Sequence, residues 1–296
     1  MDHYEIVDPY AVPGFWAKAQ LHVHTSRSID GRWPIGTALE TYAARGYDFV
    51  AITDHDTITV PATAPNELIV ITGEEHTFSH PFYPLGQHAL FLFVERHPFG
   101  TSINARFDDV VSQGGVSAIA HPSWNGAGGY GEWHNWQLAS APSFHMMEVS
   151  NPHSDPDLDT TLWHETVWQR GPHDPVWAIA VDDAHDANGV DRGWTMVKVE
   201  GKDPEHLRSA LMRGSHYATT GIVAEFGVDG DGAISARSSE PVEIVFLNAA
   251  NQRVLTLRNA LEGTYRPLGT EGFVRVEIYG LTSGKRAWSQ PFWLVD

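Results

Sequence analysis

The chain has 296 residues, 42% of them hydrophobic, with no cysteine and with 19 Lys plus Arg against 37 Asp plus Glu, a formal net charge of −18. Disulfides and thiolate metal sites are therefore excluded, and a nucleic-acid polymer is not an expected partner, because its affinity rests on cationic contacts to phosphate. An anionic small molecule would need something locally positive, and bound metal ions meet that need without a basic patch.

The chain opens with "MDHYEIVDPYAVPG", which lacks a basic start and an apolar run, and no stretch approaches a membrane span; a cytoplasmic protein with no membrane partner is expected. Next comes "AQLHVHTSRSIDG", residues 19–31. Residues at i and i+2 share one side of a strand, so His22 and His24 are aimed at one spot, with Asp30 in the loop behind them. A helix is expected from Pro34 to the stop at Gly46. The strand "DFVAITDH" ends on His55, and "ELIVITGEE" ends on Glu75. "QHALFLFV" begins with His88, which reaches the same end only if 68–75 and 87–94 form an antiparallel hairpin. A helix over "SINARFDDVVSQGG" stops at Gly114 and Gly115. "GVSAIAHP" delivers His121, followed by the loop "SWNGAGGYGEWHNW" with its tryptophans. "FHMMEVSN", a helix "TTLWHETVWQRG", the strand "VWAIAVDDAH" with Asp183 and His185, the strand "GWTMVKVE" and a helix "DPEHLRSALMRG" capped by Asp203 complete this part. Strand and helix alternating at this spacing predict an α/β domain, mostly parallel and more suited to a barrel than to an open sheet, over residues 1–221. From about residue 222 no helix is convincing. Short alternating runs such as "VEIVFL" and "FVRVEIYG" between Asn, Gly and Asp turns predict a small antiparallel β-sandwich over 222–296.

A lone buried histidine is more often a satisfied core residue than a ligand. The joint pattern is different. In a parallel barrel the strand C-termini share one mouth, and there His22, His24, His55, His88, His121 and His185 would meet Asp30, Glu75 and Asp183. A core could not bury those carboxylates without paired positive charge. The donors exceed what one ion uses, and imidazole with carboxylate but no thiolate suits two or three Zn, Mn or Fe ions. The remaining histidines, among them His3, His76, His80 and His97, are expected to be ordinary surface or core positions.

The motifs "HVHTSRSIDG", "DFVAITDHDT", "TGEEH" with "GQHALFLF", "AIAHP", "MEVSN" and "AVDDAHD" together resemble those of the polymerase-and-histidinol-phosphatase (PHP) family of metal-dependent phosphoesterases. "DPEHLRSALMRGSHYATTG" and the tail "FVRVEIYGLTSGKRAWSQPFW" are similar to a branch with a C-terminal β-domain that includes aryl carbamate hydrolases. The resemblance implies a distorted seven-stranded β/α barrel with a trinuclear centre. His22, His24, Glu75 and Asp183 would hold one ion, Glu75, His88 and His121 a second, and Asp30, His55 and His185 a third. One departure stands out: Ile29 sets the aspartate one residue further from His24 than the family pattern does. Glu74 is a rival to Glu75, although the spacing from Gly73 favours Glu75.

The expected activity is hydrolysis of a small phosphate ester by water activated between ions. Glu75, Asp183 and His185 would act through the ions, and Asp54 and Asp56, which flank His55, would orient it or move a proton, or else cap the turn after the strand. Arg27, Arg32 and Arg192 are candidate phosphate clamps, with Trp124 and His153 as further substrate contacts. Two alternatives remain: a carboxyl or carbamate ester hydrolase using the same centre, and a non-catalytic metal-stabilised binding module.

Overall fold

The computed structural model describes residues 4–65, 67–78, 85–126, 129–141 and 143–296; His3 and His80 lie outside them. In chain order the elements are β1 (Glu5–Val7), β2 (Phe15–Gln20), α1 (Ile35–Ala44), β3 (Phe49–Ile52), β4 (Ile69–Thr77), β5 (His88–Leu92), α2 (Ile103–Ser112), β6 (Val116–Ile119), α3 (Asn135–Ser140), β7 (Met146–Ser150), α4 (Pro156–Arg170), β8 (Trp177–Ala180), a 3-10 turn (Ala187–Gly189), β9 (Trp194–Val199), α5 (Pro204–Arg213), β10 (His216–Thr219), β11 (Ala224–Val228), β12 (Ile234–Asn248), β13 (Arg253–Tyr265), β14 (Phe273–Gly280), β15 (Arg286–Trp288) and β16 (Phe292–Val295).

Capping chemistry sets most helix ends. Ser102 accepts from Ala105 N at the start of α2, and Asp203 accepts from Glu205 N and His206 N at the start of α5. Gly214 ends α5 at a φ of +73°, which glycine adopts without steric cost. α4 begins earlier than its apolar pattern implies, because Asp155 caps it and Pro156 fills its first turn. α3 begins on the last two residues of the tryptophan-rich loop and carries Trp136 in its first turn.

All strands belong to one 16-stranded sheet, whose main path runs β1-β16-β14-β15-β10-β9-β2-β3-β4-β5-β6-β7-β8. Parallel pairing joins β2 to β3, β3 to β4, β6 to β7 and β7 to β8. β5 runs against β4 and β6, with Thr77 opposite His88 and Gly73 opposite Leu92, so the expected hairpin is present. β9 departs from the mostly parallel expectation, running against both β2 and β10. The physical reason is its connection: a parallel return needs a crossover, usually a helix, whereas β8 and β9 are linked through one 3-10 turn.

Leu207, Ala210 and Leu211 of α5 belong to the same buried apolar cluster as Ala17, Leu90, Leu92 and Val116. Arg208 Nη1 donates to Gly114 O at 3.2 Å, just before β6, so α5 covers the strand ends opposite those that carry His55 and His121. Closing a barrel would require β8 to pair with β9 or β10, and no backbone ladder joins them among the described residues. Side chains span the seam instead. Gln290 Nε2 donates to Ala178 O (2.8 Å) and His216 O (3.1 Å), and its Oε1 accepts from Ala178 N at 2.8 Å. Thr195 Oγ1 donates to Ala180 O at 3.0 Å and accepts from Ala180 N at 3.3 Å. The C-terminal strands also grip α4: Trp288 Nε1 donates to Thr160 Oγ1 (3.1 Å) and Arg275 Nε to His164 Nδ1 (2.8 Å). The first strand pairs with the last, Glu5 opposite Val295.

Candidate metal centre

The first imidazoles are freed by a glutamine. Gln20 Oε1 accepts from Leu21 N (3.0 Å), His22 N (3.2 Å) and Asp182 N (3.1 Å), taking the place of a neighbouring strand. β2 therefore ends at Gln20, earlier than the apolar pattern suggests, and residues 21–24 cross the mouth beyond it. The i, i+2 argument holds there: His22 Nε2 and His24 Nε2 lie 3.1 Å apart. Both face the same two carboxylates. Glu75 Oε2 is 3.3 Å from His22 Nε2 and 3.1 Å from His24 Nε2, and Asp183 Oδ1 lies at 3.3 and 3.1 Å from the same atoms.

Glu75 is the hub. It is 1% exposed. Its Oε1 lies 2.8 Å from both His88 Nδ1 and His121 Nε2, and His55 Nδ1 is 3.2 Å from Oε2. His88 reaches it because β5 returns antiparallel, as the hairpin requires. Asp30 Oδ2 is 3.1 Å from His185 Nε2 and 3.3 Å from His55 Nε2. The extra residue before Asp30 is absorbed outward: Ile29 is 69% exposed, while Ser28 Oγ donates to Asp30 Oδ1 at 2.8 Å. Gly31 permits this tight loop, since a Cβ there would collide with the Thr25 carbonyl. His121 and Asp183 both have positive φ, +26° and +47°, the kind of backbone strain that persists only where surroundings enforce it.

The electrostatics describe a cluster short of cations. No Lys or Arg pairs with Asp30, Glu75 or Asp183 among the described residues. Burial would raise the carboxyl pKa values of Glu75 and Asp183, but the imidazoles around them outweigh it and hold both well below the usual range. Burial likewise opposes protonation of His24, yet the Asp183 and Glu75 carboxylates override it and raise its pKa to about 9. Divalent cations would replace those protons. The donor set fits them. His55 Nδ1, His121 Nδ1 and Asp183 Oδ1 are buried and make no hydrogen bond of good geometry, the close polar neighbours of His55 and Asp183 included. The 3.1–3.3 Å separations around His22, His24, Glu75 and Asp183 match the edges of a coordination shell with ligand distances of about 2.1 Å.

Glu148 of β7 joins the candidate site although the sequence alone did not single it out. It is fully buried, and its Oε1 lies 2.7 Å from His22 Nδ1 while Oε2 accepts from His121 N (2.6 Å) and Asn151 Nδ2 (2.8 Å). Holding the His22 proton on Nδ1 leaves the Nε2 lone pair for an ion. The available signal was an acid at an inward position of the otherwise apolar strand "MMEVS".

Other candidates fall elsewhere. Glu74, one residue from Glu75, points to the other side of β4. It lies 2.8 Å from His76 Nδ1 and 2.9 Å from His97 Nδ1. Arg106 Nη1 sits 2.9 Å from His76 Nε2, which assigns the ring proton to Nδ1 and makes this group a hydrogen-bonded chain rather than a set of free lone pairs. Asp54 is buried outside the cluster and accepts from Thr25 N (2.5 Å), Thr25 Oγ1 (2.8 Å) and Thr59 Oγ1 (2.5 Å), tying the end of β3 to the loop after β2. Asp56 Oδ1 accepts from Thr77 N. The cluster opens into a cavity of about 220 Å³ that Trp124 and His153 also line. Trp124 lies 5.2 Å from the His88 ring and 5.0 Å from the His121 ring, and His153 lies 5.6 Å from the His185 ring. Trp133 is packed inside, donating to His88 O, whereas Trp136 is 69% exposed. Arg32 and Arg192 line an adjoining hollow, and Arg27 lines neither. Asp159 of α4 braces the two loops flanking the cavity, accepting from Ser123 N at 2.8 Å and from Ser154 Oγ; burial raises its carboxyl to about 7.

No family model and no curated protein matches the chain by sequence. Solved structures match it in fold. A two-domain protein from Bacteroides vulgatus, described as containing a predicted PHP-like metal-dependent phosphoesterase, superimposes with a TM-score of 0.56 at 14% identity over 90% of each chain. PsfC from Pseudomonas syringae gives a TM-score of 0.50 at 14% identity, covering 68% of this chain and 91% of its own. The lesion-specific endonuclease Q of Pyrococcus furiosus overlaps more loosely, with a TM-score of 0.46 at 13% identity over 67% of this chain and 56% of its own. The mixed α/β fold is thus shared, over nearly the whole chain, with a PHP-like protein.

Proposed function

We propose that the chain is a metal-dependent hydrolase of small phosphate esters. One observation carries this reading: a buried carboxylate, Glu75, has imidazoles on both its oxygens and lies with Asp30, His55, His88, His121, Asp183 and His185 on one water-accessible cavity, His22 and His24 being buried beside it. His22, His24, Glu75 and Asp183 would hold one ion, Glu75, His88 and His121 a second, and Asp30, His55 and His185 a third. Zn, Mn and Fe suit this donor set. Bound there, the ions would acidify water and polarise a phosphoryl oxygen.

The chain's own residues do the rest. Glu148 fixes the tautomer of His22 and, through His121 N, the strained backbone of a second ligand. Asp54 anchors the loop that carries Asp30 rather than touching substrate. Trp124 offers an apolar wall beside His88 and His121, suited to an aryl or alkyl group. The small volume and the net charge of −18 favour a compact ester over a polymer.

The test is to strip the protein with a chelator, refill it separately with Zn, Mn and Fe, and assay 4-nitrophenyl phosphate, bis(4-nitrophenyl) phosphate and 4-nitrophenyl acetate. Metal-dependent turnover of a phosphate ester, abolished in Glu75→Ala, supports the reading. Turnover of the acetate alone transfers the site to carbonyl esters, and tight metal binding with no turnover transfers it to a binding module.

A further inference from the structure

The space above the metal centre continues sideways. A hollow of about 620 Å³ shares Asp30, His153, Asp183 and His185 with the catalytic cavity and adds Arg32, Asn188 and Arg192. The backbones of both arginines are fixed to the segment that carries the metal donors. Arg32 N donates to His185 O at 2.8 Å, and Arg192 N donates to Asp182 Oδ1 at 2.6 Å.

Their guanidiniums, in contrast, are uncommitted. In this strongly acidic chain most arginines rest on a carboxylate, as Arg45 does on Asp191, Arg96 on Asp109 and Arg208 on Glu205. Neither Arg32 nor Arg192 has a carboxylate partner among the described residues, and Arg192 spends one N–H on Asn188 O at 3.3 Å. Of the four acids lining the hollow, Asp30, Asp182 and Asp183 are engaged. Asp30 and Asp183 face the imidazoles. Asp182 accepts from Arg192 N, Gly193 N, Asp191 N and Tyr42 Oη. Asp186 Oδ1 accepts from Asn188 N. Guanidinium offers paired donors that match phosphate geometry, and it holds its charge at any working pH.

We propose that this hollow is a second oxyanion subsite, so that the substrate is a phosphate ester bearing another phosphate-like group on the same small molecule. The scissile group sits over Glu75 and the other is held by Arg32 and Arg192. This rests on the phosphoesterase reading above and narrows it to doubly anionic substrates.

The test uses two compounds that cannot be hydrolysed, 1,3-propylenebisphosphonate and propylphosphonate, titrated by calorimetry into the metal-refilled protein, with metal content checked afterwards. The bisphosphonate is expected to bind at least about tenfold tighter, the effect of one good charged hydrogen-bonding contact. In the double variant Arg32→Gln, Arg192→Gln that ratio should fall towards one. A wild-type ratio near one overturns the subsite. So does a tenfold preference that survives the double replacement, since the second group would then rest on the ions. Turnover of 3-hydroxypropyl phosphate and 1,3-propanediol bisphosphate is scored separately. No turnover of either, nor of the two nitrophenyl phosphates, removes the phosphoesterase reading while the binding ratio still judges the subsite; turnover of any of them without a binding preference removes the subsite alone.

Discussion

Replacing Glu148 by Gln tests the centre without touching a proposed ligand. The side chain keeps its shape and loses its charge. Its contacts are His22 Nδ1 at 2.7 Å, His121 N at 2.6 Å and Asn151 Nδ2 at 2.8 Å, all of which need an acceptor. A glutamine supplies one acceptor oxygen and one NH₂. If the NH₂ faces His22, the imidazole must move its proton to Nε2, the atom that points at Glu75 and Asp183, and its lone pair is lost to the ion. If the NH₂ faces His121 and Asn151, two buried donors lose their acceptor, at about 1–3 kcal/mol each. The first outcome should weaken metal binding about ten- to a hundredfold, the usual effect of removing a partner behind a ligand, which is about 1.4–2.8 kcal/mol. The second should appear as lost stability of about 2–6 kcal/mol. Chelator competition with elemental analysis reads one, urea unfolding of the apo protein reads the other, and kcat/KM after refilling reads their effect on turnover. A variant with wild-type metal affinity and a wild-type urea midpoint would refute the tautomer argument.

Other outcomes follow from the same geometry. Glu75→Gln should hold less metal and lower kcat/KM about a hundredfold or more, measured by elemental analysis and phosphate release; an unchanged rate would contradict the hub role. Asp159→Ala should release the Ser123 and Ser154 loops and lower kcat/KM about tenfold with metal content unchanged; loss of metal would mean the brace reaches the centre itself. Gln290→Ala leaves Ala178 N and O unpaired in the seam and should cost about 2–4 kcal/mol, seen as a lower urea midpoint at constant m-value. Acid should destabilise the fold through histidines buried uncharged: burial lowers His164 to about 4 and His216 to about 3. A depressed folded pKa means the unfolded chain binds more protons, so stability is full above pH 6.5 and falls towards pH 4 and 3, by up to about 1.4 kcal/mol per histidine per pH unit. Urea midpoints of the apo protein and of His216→Phe between pH 7.5 and 4.5 check this as a difference, because His24, raised to about 9, adds stability towards acid; the variant should lose less stability than the wild type as pH falls.

Much of the centre was legible because its chemistry is local to strand ends. The i, i+2 pair His22 and His24 follows from local periodicity, and the hairpin that turns His88 towards Glu75 is the condition under which a histidine at a strand start can join the others. Two-residue alternation puts Glu74 and Glu75 on opposite faces of β4, and the spacing from Gly73 in the family motif favours Glu75 as the one that faces the cluster. Asp30 shows where spacing misleads: a one-residue insertion looked costly, yet Ile29 swings into solvent and the carboxylate still reaches His55 and His185. What stayed hidden depends on partners distant in sequence. Glu148 reads as an odd acid in a strand until His22 stands beside it. Gln20 ends β2 by borrowing Asp182 N, and nothing near residue 20 announces that. The antiparallel course of β9 needed the β8–β9 connection to be seen as a single 3-10 turn.

The seam spanned by Gln290 has a consequence for how the molecule comes into being. During synthesis, β8 emerges with the amide and carbonyl of Ala178 waiting for a residue 112 positions further along. Until that residue arrives, a nascent chain already carrying every proposed metal donor has an open flank beside β8, where a foreign strand could pair. Early ion uptake by those donors would pull the incomplete chain together from within, so a shortage of metal should show itself first as aggregation of newly made protein rather than as slow catalysis by the finished one.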